Sequence, residues 1–313
     1  MANAPITTAA SGIGSSGINS LLSLFMAQFQ SIKRAGGRPL QYMNSDASAT
    51  LASYGQTANI PLYNNTSTTL LTDGNAVTLD DTTGSSATVT LNKHRVTKFS
   101  ITQVAQALSA GDMTVINNLV GARIASLLND VEADILSIAN TAFTSNVSGT
   151  YNTAITETVI VDAMQKYMGN LPPTNVLPVA IVRHDSNAWG SLLQLPVFRD
   201  WQVTGQVSPT ATDAYLDTGV QRYGARWVVS QSVNKSGNNI DNLVFHPNAI
   251  CYAMRQFENP LSPGVQSVTM QDSGVMFQML LQWNGDRLAD EVAIHALYGF
   301  AAGRQEWGVQ LKS

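Results

Sequence analysis

Seven apolar residues, Ile116, Val120, Ile124, Leu127, Val131, Ile135 and Ile138, follow one another at steps of four, four, three, four, four and three. Such steps keep one stripe of an α-helix apolar. The pattern predicts a helix over residues 112–143, with Asp112 placed to cap it after Gly111. At 1.5 Å per residue that is a rod of about 48 Å. A helix so long needs a flat layer to lie along, which points to an α+β architecture and away from an all-β chain.

The rest of the chain supplies that layer. A second amphipathic stretch carries Ile18, Leu21, Leu22, Phe25, Phe29 and Ile32 and ends at Gly36-Gly37 and Pro39. Residues 50–101 read as one long hairpin excursion. A strand-like start (Ala58 to Tyr63) and a strand-like return (Ala87 to Ile101) flank a middle rich in Thr, Ser, Asp and Gly. With so few large apolar residues that middle cannot build its own core, and the alternation Thr88, Val89, Thr90, Leu91 favours order against another molecule. Beyond the long helix come a helix from Glu157 to Met168, a buried strand Val179 to Arg183, and a short helix that Asp185 could cap. A polar loop at 203–219 and a strand Ala225 to Ser230 follow. The last hairpin, Val275 to Trp283 and Arg287 to Leu297, is joined at Asn284-Gly285, a pair suited to a two-residue type I′ turn.

Composition narrows the class. In 313 residues the hydrophobic share is 44% but the charged share only 12%, about half the usual quarter. That is the wrong balance for disorder. A net charge of −4 is the wrong sign for a basic nucleic-acid reader. A charge-poor surface has little repulsion to keep copies apart, which is expected of a surface destined for other protein. Charge is also lopsided. Residues 1–45 hold Lys33, Arg34 and Arg38 and no acid, whereas the remainder nets −7. That arm is a candidate contact for something anionic, either nucleic acid or an acidic protein surface. Cys251 is the single cysteine, which excludes an intrachain disulfide. No secretory pattern and no apolar run near 20 residues is present.

Motifs that could carry catalysis do not assemble. Gly12-Ile13-Gly14-Ser15-Ser16-Gly17 matches G-x-G-x-x-G, but no strand precedes it and no acid follows before Asp46. His94, His184, His246 and His295 are scattered, none with a second His or Cys at ligand spacing. Asp80-Asp81 and Asp290-Glu291 are acid pairs, read here as solvated faces. No enzyme, metal or cofactor is expected. Lys93-His94-Arg95 with Lys98 is the one dense basic stretch. Strand alternation puts Lys93 and Arg95 on one face and His94 and Lys98 on the other. With only Phe99 nearby, pairing with the acids of a neighbouring subunit is the better reading than a nucleic-acid groove.

The order of these elements resembles the major capsid proteins of tailed bacteriophages, the Hong Kong 97-type fold. The residues that carry the resemblance begin with Tyr54-Gly55-Gln56-Thr57 through Ile60-Pro61. The run Val89 to Thr102 then leads into the long helix. Asn259-Pro260, Val268 to Val275, Leu297-Tyr298-Gly299 and Glu306 to Leu311 complete it. It implies an N-arm (1–49), an E-loop (50–95), a P domain (96–150 and 251–297) with the long helix as spine, and an A domain (151–250 and 298–313). Loop 203–219 would approach the five-fold and six-fold axes. It further implies pentamers and hexamers of this chain closing into an icosahedral virion head around double-stranded DNA, assembled in the host cytoplasm. A separate scaffolding protein, a portal and a cement or decoration protein are the implied partners, with no membrane. Asp73, Asp80, Asp81, Lys93, Arg95 and Lys98 are candidate intersubunit contacts, and Lys33, Arg34 and Arg38 candidates to face the interior.

Some members of that group crosslink through an E-loop lysine, yet no Lys or Arg lies between Pro39 and Asn92, so a noncovalent shell is expected. With about 50 residues before the E-loop, no long cleaved scaffolding stretch is expected. The competing readings are an encapsulin-type compartment shell and a phage tail or adhesin protein.

Overall fold

The computed structural model of the chain describes residues 39–45, 53–63, 84–102, 113–184, 187–199, 220–258, 260, 265–272 and 274–313. The apolar stripe forms helix α1, Met113–Leu136, 24 residues and about 36 Å long. Val120, Ile124, Leu127, Val131 and Ile135 are all buried along it. The helix is shorter than the stripe because Ser137 intervenes. Its hydroxyl donates back to the Asp134 carbonyl at 2.6 Å, and Ile138 N–H reaches Ile135 O instead of closing a full α turn. Ile138 is nonetheless buried, and a further turn, α2 (Ala139–Ala142), follows. Asp112 lies outside the described residues.

Two sheets and one ribbon surround this spine. The ribbon pairs β1 (Thr57–Tyr63) with β2 (Gly84–Thr90), antiparallel from Thr57↔Thr90 to Tyr63↔Gly84. The first sheet is built on the strand Ala289–Ala302, the longest among the described residues. It contains β3 (Lys93–Thr102), β10 (Ile250–Arg255), β11 (Val265–Asp272), β12 (Val275–Asn284) and β13 (Ala289–Ala302). β13 pairs with β3 along Ala289–Tyr298, with β12 along Ala289–His295 and with β10 along Leu297–Ala302. One strand therefore ties the excursion, the C-terminal hairpin and the middle of the chain together.

The second sheet runs β4-β14-β9-β5-β7-β6. Its strands are β4 (Val147–Ser148), β5 (Val179–Arg183), β6 (Val220–Arg222), β7 (Ala225–Ser230), β9 (Asn239–Phe245) and β14 (Gly308–Lys312), with β8 (Lys235–Ser236) on β9. Helix α3 (Glu157–Gly169) covers it through Ile160, Ala163 and Tyr167, spaced as one helical face. Glu157 in the first turn and Lys166 in the last both oppose the helix dipole. Helices α4 (Asn187–Gln194) and α5 (Pro196–Arg199) flank it. Residues of α1 share one core with both sheets, from Phe277 and Ile294 on one to Ile181 and Phe245 on the other.

The last hairpin differs from expectation. Asn284 pairs with Ala289, which leaves a four-residue loop, Gly285 to Leu288. The left-handed position falls on Leu288 (φ 46°), not on Gly285. The Asn284 side chain accepts the Asp286 N–H at 3.0 Å and so shapes the turn from its first residue.

Candidate functional site

The predicted basic residues sit where the excursion joins the body. β3 alternates, its odd positions half-buried or buried and its even positions exposed, so Lys93 and Arg95 face α1 while His94 and Lys98 face outward. On the inner face Arg95 grips Asp134 at two points, Nε to Oδ2 at 3.1 Å and NH2 to Oδ1 at 2.9 Å. Its NH1 lies 3.4 Å from Asp130, one helical turn earlier on α1. Tyr298 of β13 donates its hydroxyl to Asp134, and Lys93 Nζ stands 3.7 Å away. Burial raises the Asp134 carboxyl. The hydrogen bonds from Tyr298 and Arg95 and the charges of Arg95 and Lys93 outweigh it, so the group ionises below its ordinary value.

The outer face carries a second carboxylate with several donors. Glu291, 2% exposed, takes Lys98 Nζ at 2.5 Å. Gln282 donates to it at 3.0 Å and Asn284 at 2.8 Å, while Arg287 stands at 3.8 Å. The bond from Lys98, then those from Gln282 and Asn284, hold its pKa down to about 2. Further along the same face His94 Nε2 lies 3.3 Å from His295 Nδ1. Phe257 stacks on the His295 ring at 5.1 Å and meets His94 edge-on at 4.5 Å. Burial, then the nearby His94, lowers His295 to about 4, and burial lowers His94 as well.

The foot of the ribbon closes this junction. Ala58, Val89 and Leu91 pack on Cys251, Ala253 and Leu297. At Gly299 a Cβ would fall 1.8 Å from the Thr90 carbonyl oxygen. Only a residue without a side chain lets the two backbones approach so closely.

The cations expected to meet a neighbouring subunit thus find acids in their own chain: Asp130 and Asp134 for Lys93 and Arg95, Glu291 for Lys98. Asp73, Asp80, Asp81, Lys33, Arg34 and Arg38 lie outside the described residues, as do Asp185, loop 203–219 and the Gly12–Gly17 motif. Two readings are corrected. Asp290 and Glu291 are not a solvated pair but 4% and 2% exposed, because β13 is flanked on both sides. His94 and His295 are not isolated, because antiparallel pairing of β3 with β13 brings them together across the sheet. The four-residue spacing of Asp130 and Asp134, beside the apolar stripe, was the one sequence signal for the inner cluster. Nothing local marked Tyr298. Among the described residues no three His, Cys, Asp or Glu side chains are grouped to hold a metal ion, and no helix is long and apolar enough to cross a membrane.

This arrangement, a spine helix sharing one core with two sheets and a ribbon footed on β13, is similar to the fold of solved phage capsid chains, the Hong Kong 97-type fold. The similar solved structures include one titled Mycobacterium phage Che8, 16% identical with a TM-score of 0.56, spanning 86% of this chain and 89% of that one. The capsid of cyanophage P-SCSP1u is 14% identical at a TM-score of 0.56, over 87% and 86%. The capsid of an empty GTA particle, computed with C5 symmetry, is 10% identical at 0.54, over 90% of each chain. No known family profile and no curated protein matches the sequence.

Proposed function

We infer that the chain is a structural major capsid protein, not an enzyme, which assembles as pentamers and hexamers into an icosahedral head enclosing double-stranded DNA. The observation that carries this reading is agreement in fold with capsid structures over 87% and 90% of this chain. The physics agrees with it. A chain with only 12% charged residues suits assembly through many modest contacts, each well below the area of an obligate dimer. A net negative body keeps packaged DNA from adhering to the wall, while Lys33, Arg34 and Arg38 are placed in sequence to meet it or the shell interior.

In this reading residues 1–49 are the N-arm, 50–95 the E-loop laid on the next subunit, 96–150 with 251–297 the P domain, and 151–250 with 298–313 the A domain. Scaffolding, portal and cement proteins are its partners, the virion is its place and the host cytoplasm its site of assembly. Asp73, Asp80 and Asp81 would meet cations of a neighbour. Lys93 and Lys98, 41% and 49% exposed beyond their own acids, can each take a second, intersubunit partner, as can Arg95.

The test is negative-stain electron microscopy with light scattering on the purified chain, alone and with its candidate scaffold. Closed particles tens of nanometres across, or pentamers and hexamers that close on adding scaffold, are expected. A strict monomer or dimer under both conditions overturns the reading. The same micrographs on an Asp80→Lys, Asp81→Lys chain test the E-loop contacts, which are wrong if assembly is unchanged.

A further inference from the structure

We propose that His94 and His295 form an acid-labile latch that fastens the foot of the β1–β2 ribbon to β13, while the Lys98–Glu291 pair on the same face is an acid-resistant pivot. The inference concerns the single chain and stands whether or not the shell reading holds.

Geometry carries it. The two imidazole nitrogens lie at 3.3 Å, a contact that needs one N–H and one lone pair. It is made in two protonation states of the pair. With both rings neutral one donates to the other. With one extra proton on the exposed His94, its Nε2–H donates to neutral His295 as a charge-assisted bond. With both rings protonated each nitrogen is a donor, the bond is lost, and two like charges stand at contact range under the Phe257 ring. His295 is 8% exposed and its Nε2 has no hydrogen-bond partner, so water does little to screen the second charge.

The surroundings do not rescue it. On the same face the charged groups are Lys98, Glu291 and, from the turn, Arg287, and that carboxylate is already committed to Lys98, Gln282 and Asn284. Directly across on β12 stands Gln278, uncharged. Arg255 ends β10 opposite Leu297, and Glu258 follows Phe257 at the surface. Asp134, Lys93, Arg95 and Tyr298 belong to the inner face and are engaged with each other.

The direction with pH follows. Both rings have folded values below the ordinary 6.5, His295 at about 4. A folded, latched form therefore binds fewer protons than an opened one between 6.5 and 4, and acid favours opening. Glu291 keeps its charge down to about 2, so the Lys98 end holds through the whole interval. The outcome is a strand loosened at one end only, the end that continues through Asn92 and Leu91 into the ribbon.

Hydrogen exchange read by mass spectrometry on the full chain tests this, at pH 7 and pH 4 and corrected for the intrinsic rate. Protection over residues 91–96 is expected to fall by about tenfold or more, one pKa unit's worth, while residues 98–102 keep theirs. In His295→Leu the acid-dependent fall disappears. His94→Ala, at an exposed strand position, already shows the low protection at pH 7. His246→Asn, which removes the other burial-lowered histidine, retains the full response. An equal loss across both segments, no loss in the wild type, or an unchanged fall in His295→Leu overturns the latch.

Discussion

The two faces of β3 are fastened by the same device, one carboxylate shared among several donors, yet they are set in different surroundings. Asp134 belongs to α1 and is gripped by Arg95 and Tyr298 against a core that runs on into both sheets. Glu291 belongs to the sheet itself and is gripped across three strands by Lys98, Gln282 and Asn284, with half of Lys98 in solvent. The inner cluster joins the excursion to the spine helix. The outer one joins strand to strand, and only there does a titratable pair, His94 with His295, stand beside it. A clamp's chemistry says how strongly it holds, and its surroundings say what it holds together.

The largest effect is expected where both faces share a backbone. At Gly299 a Cβ would meet the Thr90 carbonyl at 1.8 Å and the Leu91 nitrogen at 3.1 Å, and backbone cannot step aside as a side-chain end can. Gly299→Ala should cost about 3 kcal/mol, the upper part of the usual range for overpacking. Urea unfolding would show it, and chymotrypsin should cut earliest after Leu91 and trypsin after Lys93. A variant as stable as the wild type would mean that the ribbon foot is not seated on β13.

Next in size is the inner clamp. Asp134→Ala strands Arg95 and Tyr298 in a site only 24% open to solvent at the carboxylate. Losing an ionic acceptor from a partly buried group costs about 2 kcal/mol, discounted from a fully buried pair because Arg95 is 39% exposed and Asp130 remains at 3.4 Å. Asp134→Asn should recover part of that loss, since its amide oxygen still accepts from Tyr298. A double-mutant cycle with Arg95→Ala measures the coupling directly. A coupling energy near zero would make the inner clamp a surface pair and erase the contrast between the faces.

How much of this could be read before the structure differs by the range of the interaction. The burial of Val120 through Ile138 was legible because helical periodicity is local, and so were the strands at Val179–Arg183 and Ala225–Ser230, as short β-branched runs. The end of α1 was missed because one serine hydroxyl competing for a carbonyl outweighs a continuing apolar stripe. Alternation on β3 sorted Lys93 and Arg95 from His94 and Lys98, yet it could not say which acids they meet. His94 and His295 are 201 positions apart, and their meeting depends on the register of β3 on β13, which no local pattern encodes. The burial of Glu291 was hidden for the same reason, since an acid one strand from a turn is solvated only if that strand is an edge. β13 has neighbours on both sides.

The smallest effect is the most diagnostic, and it lies at the outer clamp. Glu291→Gln keeps the shape and removes the charge that Lys98 meets, so at neutral pH the variant should be modestly less stable than the wild type. The pH course separates this from a packing defect. The Glu291 value is held down to about 2 from an ordinary 4.5, so between those limits the folded state binds fewer protons than the unfolded one. Its contribution is therefore complete above 4.5 and drains away as pH falls toward 2. Thermal melts of both proteins should differ by a constant amount from pH 7 to about pH 5 and converge below that. A gap that stays constant down to pH 2 would mean that Glu291 contributes shape alone. A gap that closes already between pH 6.5 and 4.5 would place the titration on the histidines and show that the two fastenings of the outer face are one cooperative unit, not a pivot and a latch.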